Sequence, residues 1–341
     1  MALSASRKLA LLKGDLHISH QPLLLNIAVR TLDWTLTTEP LVRHLRPPNS
    51  TPSIIMDAFD LATNFRGHGW NWSHGLYIPR ETRPTNRIAF ARCAFLSAVA
   101  HGFMCVAFYG AVLLFVGVES ITKGLVFFDE SLPFLVRYLR ASITSALIAM
   151  ATYAWMQMSY DACTIPAVLV LGQHPTQWPP AFDAPWRATS LHEFWGRGWH
   201  QWGRRTFLFL AGHPLSILLG PVGTVLGAFL ASAVLHDVVL VCLDGKTGIL
   251  WMLIGFGMMA PGLLAERGFQ RLTGKRVGGV VGWVWTMAWL SLWGSVIFEG
   301  HARAAGIGDP SIVDNALAAR VRILVESLGV DFDAWLHATG I

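Results

Sequence analysis

The sequence is poor in charged residues. Only 14% of its 341 residues are Asp, Glu, Lys or Arg, whereas 53% are hydrophobic and the mean hydropathy is +0.46. A soluble domain carries about a quarter charged residues, so this composition excludes an ordinary soluble domain. The apolar residues also fall in blocks, and a bilayer crossing needs about 20 mostly apolar residues. The composition therefore predicts an integral membrane protein with several helices.

The patterns of disulfide frameworks and metal sites are missing. The four cysteines show no CxxC spacing, and all lie in apolar runs: Cys93, Cys105, Cys163 and Cys242. Cysteines in such surroundings are typically small buried hydrophobes. The histidines and carboxylates show neither an HExxH motif nor clustered ligand spacing. We therefore expect no metal site, no bound cofactor and no disulfide.

A secretory signal and a nucleic-acid-binding surface are not indicated either. Residues 1–20 lack the apolar core of about 7–15 residues that defines a signal peptide, so we expect insertion to depend on internal spans. The net charge is +5, but the basic residues lie in loops between apolar runs. Such loops follow membrane topology, and their charge favours a cytoplasmic N-terminus. We expect a lipid bilayer, and no nucleic acid, as a partner.

Five apolar blocks dominate the chain after residue 88. Residues 1–88 are the least hydrophobic stretch and contain the breaker cluster PPNSTP, which predicts a membrane-surface segment. We expect a multi-span core at 89–300 and a tail at 301–341, in which Ser311–Ala338 has the spacing of an amphipathic helix. The predicted fold class is all-α and polytopic, with about five or more transmembrane helices. The blocks are Ala89–Val118, Ala141–Gly172, Leu218–Leu243, Ile249–Ala265 and Val277–Phe298.

A histidine and a carboxylate, His236 and Asp237, interrupt the third apolar block. Ionisable residues inside a membrane are costly to place and point to function, and imidazole suits proton transfer near neutral pH. On a helix Asp237 points about 100° away from His236, so it cannot simply orient that ring. A polar residue bonded to a neighbouring helix is the alternative interpretation, and the residues alone leave both open.

A second cluster, rich in aromatic and basic residues, runs from Ser190 to Trp202 as SLHEFWGRGWHQW. Trp195, Trp199 and Trp202 are spaced so that they share one face of a helix. An interfacial amphipathic helix explains this stripe, although it explains His200 poorly. The arginines either hold phosphate groups or follow membrane topology, and the sequence does not choose between these interpretations.

Together the clusters resemble a known family. FWGRGWHQW, from Phe194 to Trp202, followed by LASAVLHD, from Leu230 to Asp237, resembles the wax synthase branch of the membrane-bound O-acyltransferase (MBOAT) superfamily. Typical forms in that branch read FWGRRWN or FWGRRWH, then SGLxHE. Here Gly198 replaces an arginine and Asp237 replaces the usual glutamate.

Upstream motifs extend the resemblance to about residues 55–300. RGHGW, from Arg66 to Trp70, and WPPAFDAP, from Trp178 to Pro185, resemble the fungal members of the branch. Several of those members acetylate terpenoid, meroterpenoid or trichothecene alcohols. Family members commonly carry further spans before the RGxGW motif, and no such span is predicted here.

The resemblance implies a site and a reaction. It makes His236 the catalytic general base, and it places His200 where a residue orients the thioester or stabilises the developing oxyanion. Both would face a buried reaction chamber that limits thioester hydrolysis. The cosubstrate would be an acyl-CoA, above all acetyl-CoA, the acceptor a small-molecule alcohol, and the location the endoplasmic reticulum. The residues expected to bind substrate or acyl-CoA are Trp195, Arg197, Trp199 and Arg204.

Three alternative functions compete with this interpretation. Within the family, a long-chain wax ester synthase is the alternative. A non-enzymatic transporter or scaffold is disfavoured, because the sequence shows no repeated halves and no paired broken helices. A serine hydrolase is disfavoured because no GxSxG motif surrounds Ser190 or Ser232.

Overall fold

The computed structural model describes residues 27–46, 53–73, 75–116, 127–242 and 247–304. Within these ranges the chain is built from helices and loops, with no strand and one isolated bridge between Arg43 and Trp70. The predicted all-α class is therefore confirmed. The amphipathic helix expected at Ser311–Ala338 and the stretch 1–20 lie outside the described residues.

Among the described residues, five stretches are long and apolar enough to cross a membrane, which makes the chain an integral, multi-pass membrane protein. They are Arg87–Val116, Phe134–Leu169, Arg204–Cys242, Ile249–Thr273 and Gly279–Ala302. A helical segment at 27–36 precedes them. The main helices are α1 (Ile54–Thr63), α2 (Arg87–Val116), α3 (Phe134–Leu169), α4 (His213–Cys242), α5 (Ile249–Gly257), α6 (Met259–Thr273) and α7 (Gly279–Ala304).

A buried carboxylate ties α2 to α3. Asp161 is fully buried on α3 and accepts hydrogen bonds from Ser97 of α2 at 2.7 Å and from Gln157 at 2.8 Å. Arg83, just before α2, donates to the same carboxylate at 3.0 Å and to the carbonyl of Trp178 at 2.9 Å. Because a buried charge is tolerated only when it is paired and hydrogen-bonded, this network fixes the hairpin and the start of the WPPAFDAP loop.

The stretch Arg204–Cys242 is a helical hairpin rather than one straight helix. Its backbone leaves the helical conformation at Gly220, with φ 57° and ψ −141°, and Pro221 follows. A Cβ atom at Gly223 or Gly227 would collide with the carbonyl oxygen of Leu215 or Ala211. Small residues at a helix crossing permit such close backbone contact. The two arms, 204–219 and 221–242, therefore run antiparallel. The third apolar block belongs to the second arm from Pro221 onward.

The segment 190–219, which leads to the turn at Gly220, enters and leaves the helix bundle at the same end. Thr189 lies against Gly282 near the start of α7, at the end of the bundle where α6 stops. The chain then descends to Trp195, whose ring meets Phe229 of α4 at 5.4 Å between centroids. Arm 204–219 returns to the turn at Gly220. This re-entrant segment brings His200 into the helix bundle. The surrounding protein makes irregular backbone tolerable there.

Candidate active site

The RGHGW motif fastens two loops together through Arg66. This arginine is 5% exposed, and its two terminal nitrogens donate to the carbonyl oxygens of Pro180 at 2.5 Å and Pro179 at 2.6 Å. It also donates to the hydroxyl of Tyr160 on α3 at 2.9 Å. Planar guanidinium groups suit such divided bonding. Arg66 therefore holds the WPPAFDAP loop against α3, next to the second cluster.

The two glycines of the motif are required by geometry. Gly67 has φ +64° and Gly69 has φ +86°, values that L side chains rarely adopt. A Cβ atom at Gly67 would lie 2.5 Å from the ring of Trp72, and one at Gly69 would lie 2.7 Å from the carbonyl oxygen of Leu45. Trp70 completes the turn by donating its indole N–H to Asp60 at 2.7 Å.

The second cluster begins at a helix start that a remote carboxylate caps. Ser190 is the N-cap of a short turn, Leu191–Glu193, and its hydroxyl accepts from the N–H of Glu193 at 3.0 Å. Glu266 of α6 accepts from the backbone N–H groups of Leu191 at 2.6 Å and His192 at 3.0 Å. Because the first N–H groups of a helix have no internal partner, Glu266 fixes where the cluster begins.

The predicted tryptophan stripe is wrong beyond Gly198. A π-helical turn covers Phe194–Gly198, and Trp199 is already extended, with φ −78° and ψ 152°. The carbonyl of Gly198 accepts from the backbone N–H of Asp183 at 3.0 Å, and the side chain of Gln201 donates to the carbonyls of Trp195 and Trp199 at 2.9 and 2.7 Å. These contacts end the helix, so Trp199 and Trp202 leave the face of Trp195.

His200 lies in an aromatic box. Its ring centroid is 4.9 Å from that of Trp202, 5.5 Å from that of Trp199 and 5.7 Å from that of Phe182. Its Nδ1 atom is buried and has no hydrogen-bond partner in the described part of the chain. Burial, with smaller effects from the charges of His236 and Arg66, lowers the pKa of His200 to about 3. The ring is therefore neutral at physiological pH.

His236 has a defined tautomer. Its Nδ1 atom lies 2.7 Å from the carbonyl oxygen of Ser232, one turn earlier in α4. A carbonyl oxygen can only accept a hydrogen bond, so Nδ1 carries a proton, and in the neutral ring Nε2 keeps its lone pair. The ring packs against Phe256 of α5, with the centroids 4.6 Å apart and the planes tilted by 35°, and lies 6.5 Å from the ring of His301 on α7. In its neutral form the His236 ring therefore offers Nε2 as a proton acceptor.

Asp237 serves the loop that follows α4. It is 7% exposed and accepts from the hydroxyl of Thr247 at 2.8 Å and from the backbone N–H of Gly248 at 2.7 Å. Gly248 is the N-cap of α5. The two adjacent residues thus contact different parts of the structure. Asp237 binds the residues at the start of α5, and His236 packs against Phe256.

Unpartnered donors cluster in the same region. Trp195 and Trp293 each bury an indole N–H that meets no acceptor among the described residues. Both rings pack against the cluster that contains Phe256, Ala233 and Ile297, and Phe256 also packs against the ring of His236. A buried N–H without a partner costs about 1–3 kcal/mol, and an acceptor oxygen from a bound molecule would relieve that cost.

Of the remaining predicted binding residues, Trp199 contacts His200 and the two arginines are exposed. Arg197 is exposed, with its guanidinium carbon 5.2 Å from the ring centroid of Tyr77. Arg204 is also exposed and donates to the side-chain oxygen of Gln201 at 3.3 Å. Trp199 forms one wall of the box around His200. No contact between either arginine and a catalytic candidate appears in the described ranges.

Two further polar residues of this region were not singled out from the sequence. His301, near the end of α7, faces His236 and is held by a hydrogen bond of 2.9 Å to the carbonyl of Ile297. Glu266 caps the start of the second cluster and also accepts from the indole of Trp285 at 3.0 Å. Each is an ionisable residue in an apolar stretch, which is a signal that the sequence does contain.

Comparison with known proteins identifies the central segment. Residues 178–255 match the Membrane bound O-acyl transferase family. This match includes the segment 190–202 and His236, but it leaves out RGHGW. No solved structure matches the chain.

Curated relatives extend the similarity over more of the chain. Acetyltransferase ple2 of Rhodocybe pseudopiperita is 25% identical over 277 residues, which are 74% of this chain and 69% of the relative. O-Mevalon transferase yanI of Aspergillus niger is 26% identical over 54% of this chain and 44% of its own length. Acetyltransferase aurG of Calcarisporium arbuscula is 30% identical over 42% of this chain and 39% of its own length. The chain thus spans less than half of the last two, and the resemblance drawn from the motifs is confirmed.

Proposed function

On the premise that a chain so similar to membrane-bound O-acyltransferases is itself an O-acyltransferase, we propose that it moves an acetyl group from acetyl-CoA to a hydroxyl of a terpenoid-type secondary metabolite. His236 is the general base of this proposal. The observation that carries it is the hydrogen bond of 2.7 Å from Nδ1 of His236 to the carbonyl of Ser232, because it leaves Nε2 free to take a proton. The acetyltransferase names of two relatives support the acyl group.

The proposed step is a direct transfer. The acceptor oxygen attacks the thioester carbonyl while Nε2 of His236 takes the hydroxyl proton. The tetrahedral intermediate collapses, the carbon–sulfur bond breaks, and the thiolate leaves with the bonding electrons. The imidazolium then returns its proton to the sulfur, so the products are an ester and coenzyme A. The neutral base is restored without any further reactant.

Negative charge develops on the thioester oxygen during this step, and hydrogen-bond donors stabilise it. The unpartnered indole N–H of Trp195 and the neutral ring of His200 are suitable donors. A neutral imidazole donates one N–H without adding a charge. We assign His200 to orientation of the thioester, and Trp195 and Trp199 to contact with the substrates.

The extent of the catalytic core and the cellular location belong to the same proposal. Within this proposal residues 89–300 are the catalytic core, and the protein resides in the endoplasmic reticulum. A fluorescent fusion of the full chain tests the location, and a plasma-membrane or vacuolar pattern would contradict it.

Acyl transfer in microsomes that contain the full chain tests the activity. Radiolabelled acetyl-CoA or a radiolabelled long-chain acyl-CoA is supplied with terpenoid alcohols and with long-chain alcohols, and a labelled mevalonyl donor is included because one relative is named an O-mevalon transferase. We expect label in an acetate ester of a polycyclic alcohol. Ester formation only with long-chain acyl-CoA and long-chain alcohol would replace the proposal by wax ester synthesis. Alcohol flux across vesicles without any ester would replace it by transport.

A further inference from the structure

A narrow cleft opens between the helical segment 27–36, the loop after RGHGW and the start of arm 204–219. It lies on the side of the bundle where Arg66 holds the loop of Pro179 and Pro180. It is therefore separate from the packing cluster around His236. Its lining residues are Val29, Arg30, Asp33, Phe65, Trp72, Trp202, Arg205 and Thr206.

Arg30 is a buried cation with a free donor in this cleft. The residue is 6% exposed, and its Nη1 atom donates to the carbonyl of Asn64 at 2.8 Å. Its Nη2 atom is buried without a hydrogen-bond partner in the described structure. Burial lowers the pKa of Arg30 to about 10, so the guanidinium still carries its charge at neutral pH. A buried charged donor without a partner is costly, and an anion in the cleft would relieve that cost.

Trp72 adds a second free donor and packs against two cations. Its ring centroid is 4.7 Å from the guanidinium carbon of Arg30 and 5.2 Å from that of Arg205. Its indole N–H is buried and unpartnered within the described ranges. Arg205 is paired to Asp33, with N–O distances of 2.5 and 2.9 Å. The lining residues therefore carry two positive charges against one negative charge.

We infer that this cleft binds a phosphate group of the acyl-CoA donor. A guanidinium is a preferred partner of phosphate, the free indole N–H offers another hydrogen bond, and the lining has a net positive charge. This inference rests on the proposed function for the identity of the ligand. It replaces Arg197 and Arg204, which are exposed, by Arg30 and Arg205 as the arginines that meet phosphate.

The cleft lies beside the proposed reaction centre. Trp202 lines the cleft, and its ring is 4.9 Å from that of His200. An acyl-CoA carries its phosphates and its thioester at opposite ends of a flexible pantetheine arm. Phosphate at Arg30 and thioester at His200 thus place the two ends of the donor on either side of Trp202. The donor would follow the re-entrant segment into the bundle.

Donor truncation combined with substitution tests the inference. Purified full-length protein in nanodiscs is assayed with acetyl-CoA and with S-acetylpantetheine, which has no phosphate. The variants are Arg30→Gln, which removes the charge, and Trp72→Phe, which keeps an aromatic ring and removes the N–H. Arg80→Gln is the matched control, because Arg80 is exposed and lies outside the cleft.

We expect Arg30→Gln to raise the KM for acetyl-CoA at least about tenfold, and Trp72→Phe about three- to tenfold, with kcat nearly unchanged. Both variants should match the wild type with S-acetylpantetheine, and Arg80→Gln should match it with both donors. An unchanged KM for acetyl-CoA in both cleft variants would overturn the inference. An equal loss with both donors would overturn it as well, because that loss would not depend on phosphate.

A phospholipid headgroup presents the same chemistry, so binding is measured directly too. The thermal unfolding temperature of the wild type and of Arg30→Gln is recorded with coenzyme A and with phosphatidic acid. A stabilisation by coenzyme A that is lost in Arg30→Gln supports the donor as ligand. Stabilisation by phosphatidic acid alone, lost in the same variant, overturns that assignment. A wild type that binds coenzyme A through the cleft but forms no ester would contradict the proposed function and leave the cleft supported.

Discussion

The tautomer of His236 depends on one hydrogen bond within its own helix. His101 on α2 makes the same contact, with Nδ1 2.8 Å from the carbonyl of Ser97, and its Nε2 atom lies 3.3 Å from the hydroxyl of Tyr153. For His236 the described residues provide no such partner at Nε2, and its ring neighbours are Phe256 and His301. The two histidines therefore differ in the atom that matters for proton transfer.

His200 differs from His236 in what substitution should reveal. Its pKa of about 3 means that the ring gains no proton between about pH 6 and pH 9, so it acts as a neutral hydrogen-bonding group. We predict that His200→Asn, which keeps such a group, retains most of the turnover, whereas His200→Ala loses about 10²–10³-fold. The pH–rate profile of His200→Asn should match that of the wild type. A profile shifted only in that variant would show that His200 titrates during the reaction.

Loops outside the spans are positioned by a few buried arginine contacts. Arg66→Gln removes a charged donor that binds Pro179, Pro180 and Tyr160. Because a hydrogen bond to a charged group contributes about 1.5–3 kcal/mol, we predict that the free energy of unfolding falls by at least about 2 kcal/mol. Thermal unfolding in detergent checks this, with Arg80→Gln as the control at an exposed site. Equal unfolding temperatures for the two variants would contradict the role assigned to Arg66.

The hairpin at Gly220 depends on a backbone conformation that other residues avoid. We predict that Gly220→Ala destabilises the protein by about 1–3 kcal/mol, because φ 57° with ψ −141° is strained for a residue with a Cβ atom. Gly268, in the regular helix α6, has nothing within 4 Å of an added Cβ. Gly268→Ala should therefore raise the free energy of unfolding by about 0.5–1 kcal/mol. Thermal unfolding of both variants tests the pair, and destabilisation by Gly268→Ala alone would contradict it.

At the scale of elements, apolar run length predicted the spans and missed the re-entrant segment. The block Ile249–Ala265 falls within a helical stretch of the structure, and Val277–Phe298 overlaps α7 from Gly279 onward, because a bilayer crossing demands continuous apolar residues. The spacing of Trp195, Trp199 and Trp202 suggested a helix, but the contacts of Gly198 and Gln201 with distant backbone ended it. Local periodicity carries no information about such tertiary partners.

The candidate site, too, was predicted only in part from the sequence. His236 and His200 were identified through the motif resemblance, and the roles assigned to them stay predictions. Glu266 and His301 come from helices distant in sequence, so only the packing of α6 and α7 brings them near the motif residues. The cleft at Arg30 and Trp72 depends on unpartnered atoms, which no sequence pattern reports.

For the whole molecule, we predict that opposite ends of the bundle face opposite sides of the membrane. Lys275 lies in the exposed connection between α6 and α7, and Glu130 is exposed before α3, where Phe127 contacts Glu299 of α7. Loop charge assigns the Lys275 end to the cytoplasm. In a cysteine-free background, Lys275→Cys should react with an impermeant maleimide from the cytoplasm, and Glu130→Cys only from the opposite side. Labelling of both from one side would contradict the five-span arrangement.

The proposed role of His236 as general base is tested most directly by the turnover of His236→Gln in microsomes. His213→Gln is the matched control, because His213 is an exposed histidine of the other arm of the same hairpin. We predict that His236→Gln forms ester about 10²–10⁴-fold more slowly than the wild type, at equal membrane insertion, and that His213→Gln matches the wild type. Turnover of His236→Gln within about twofold of the wild type would contradict this role.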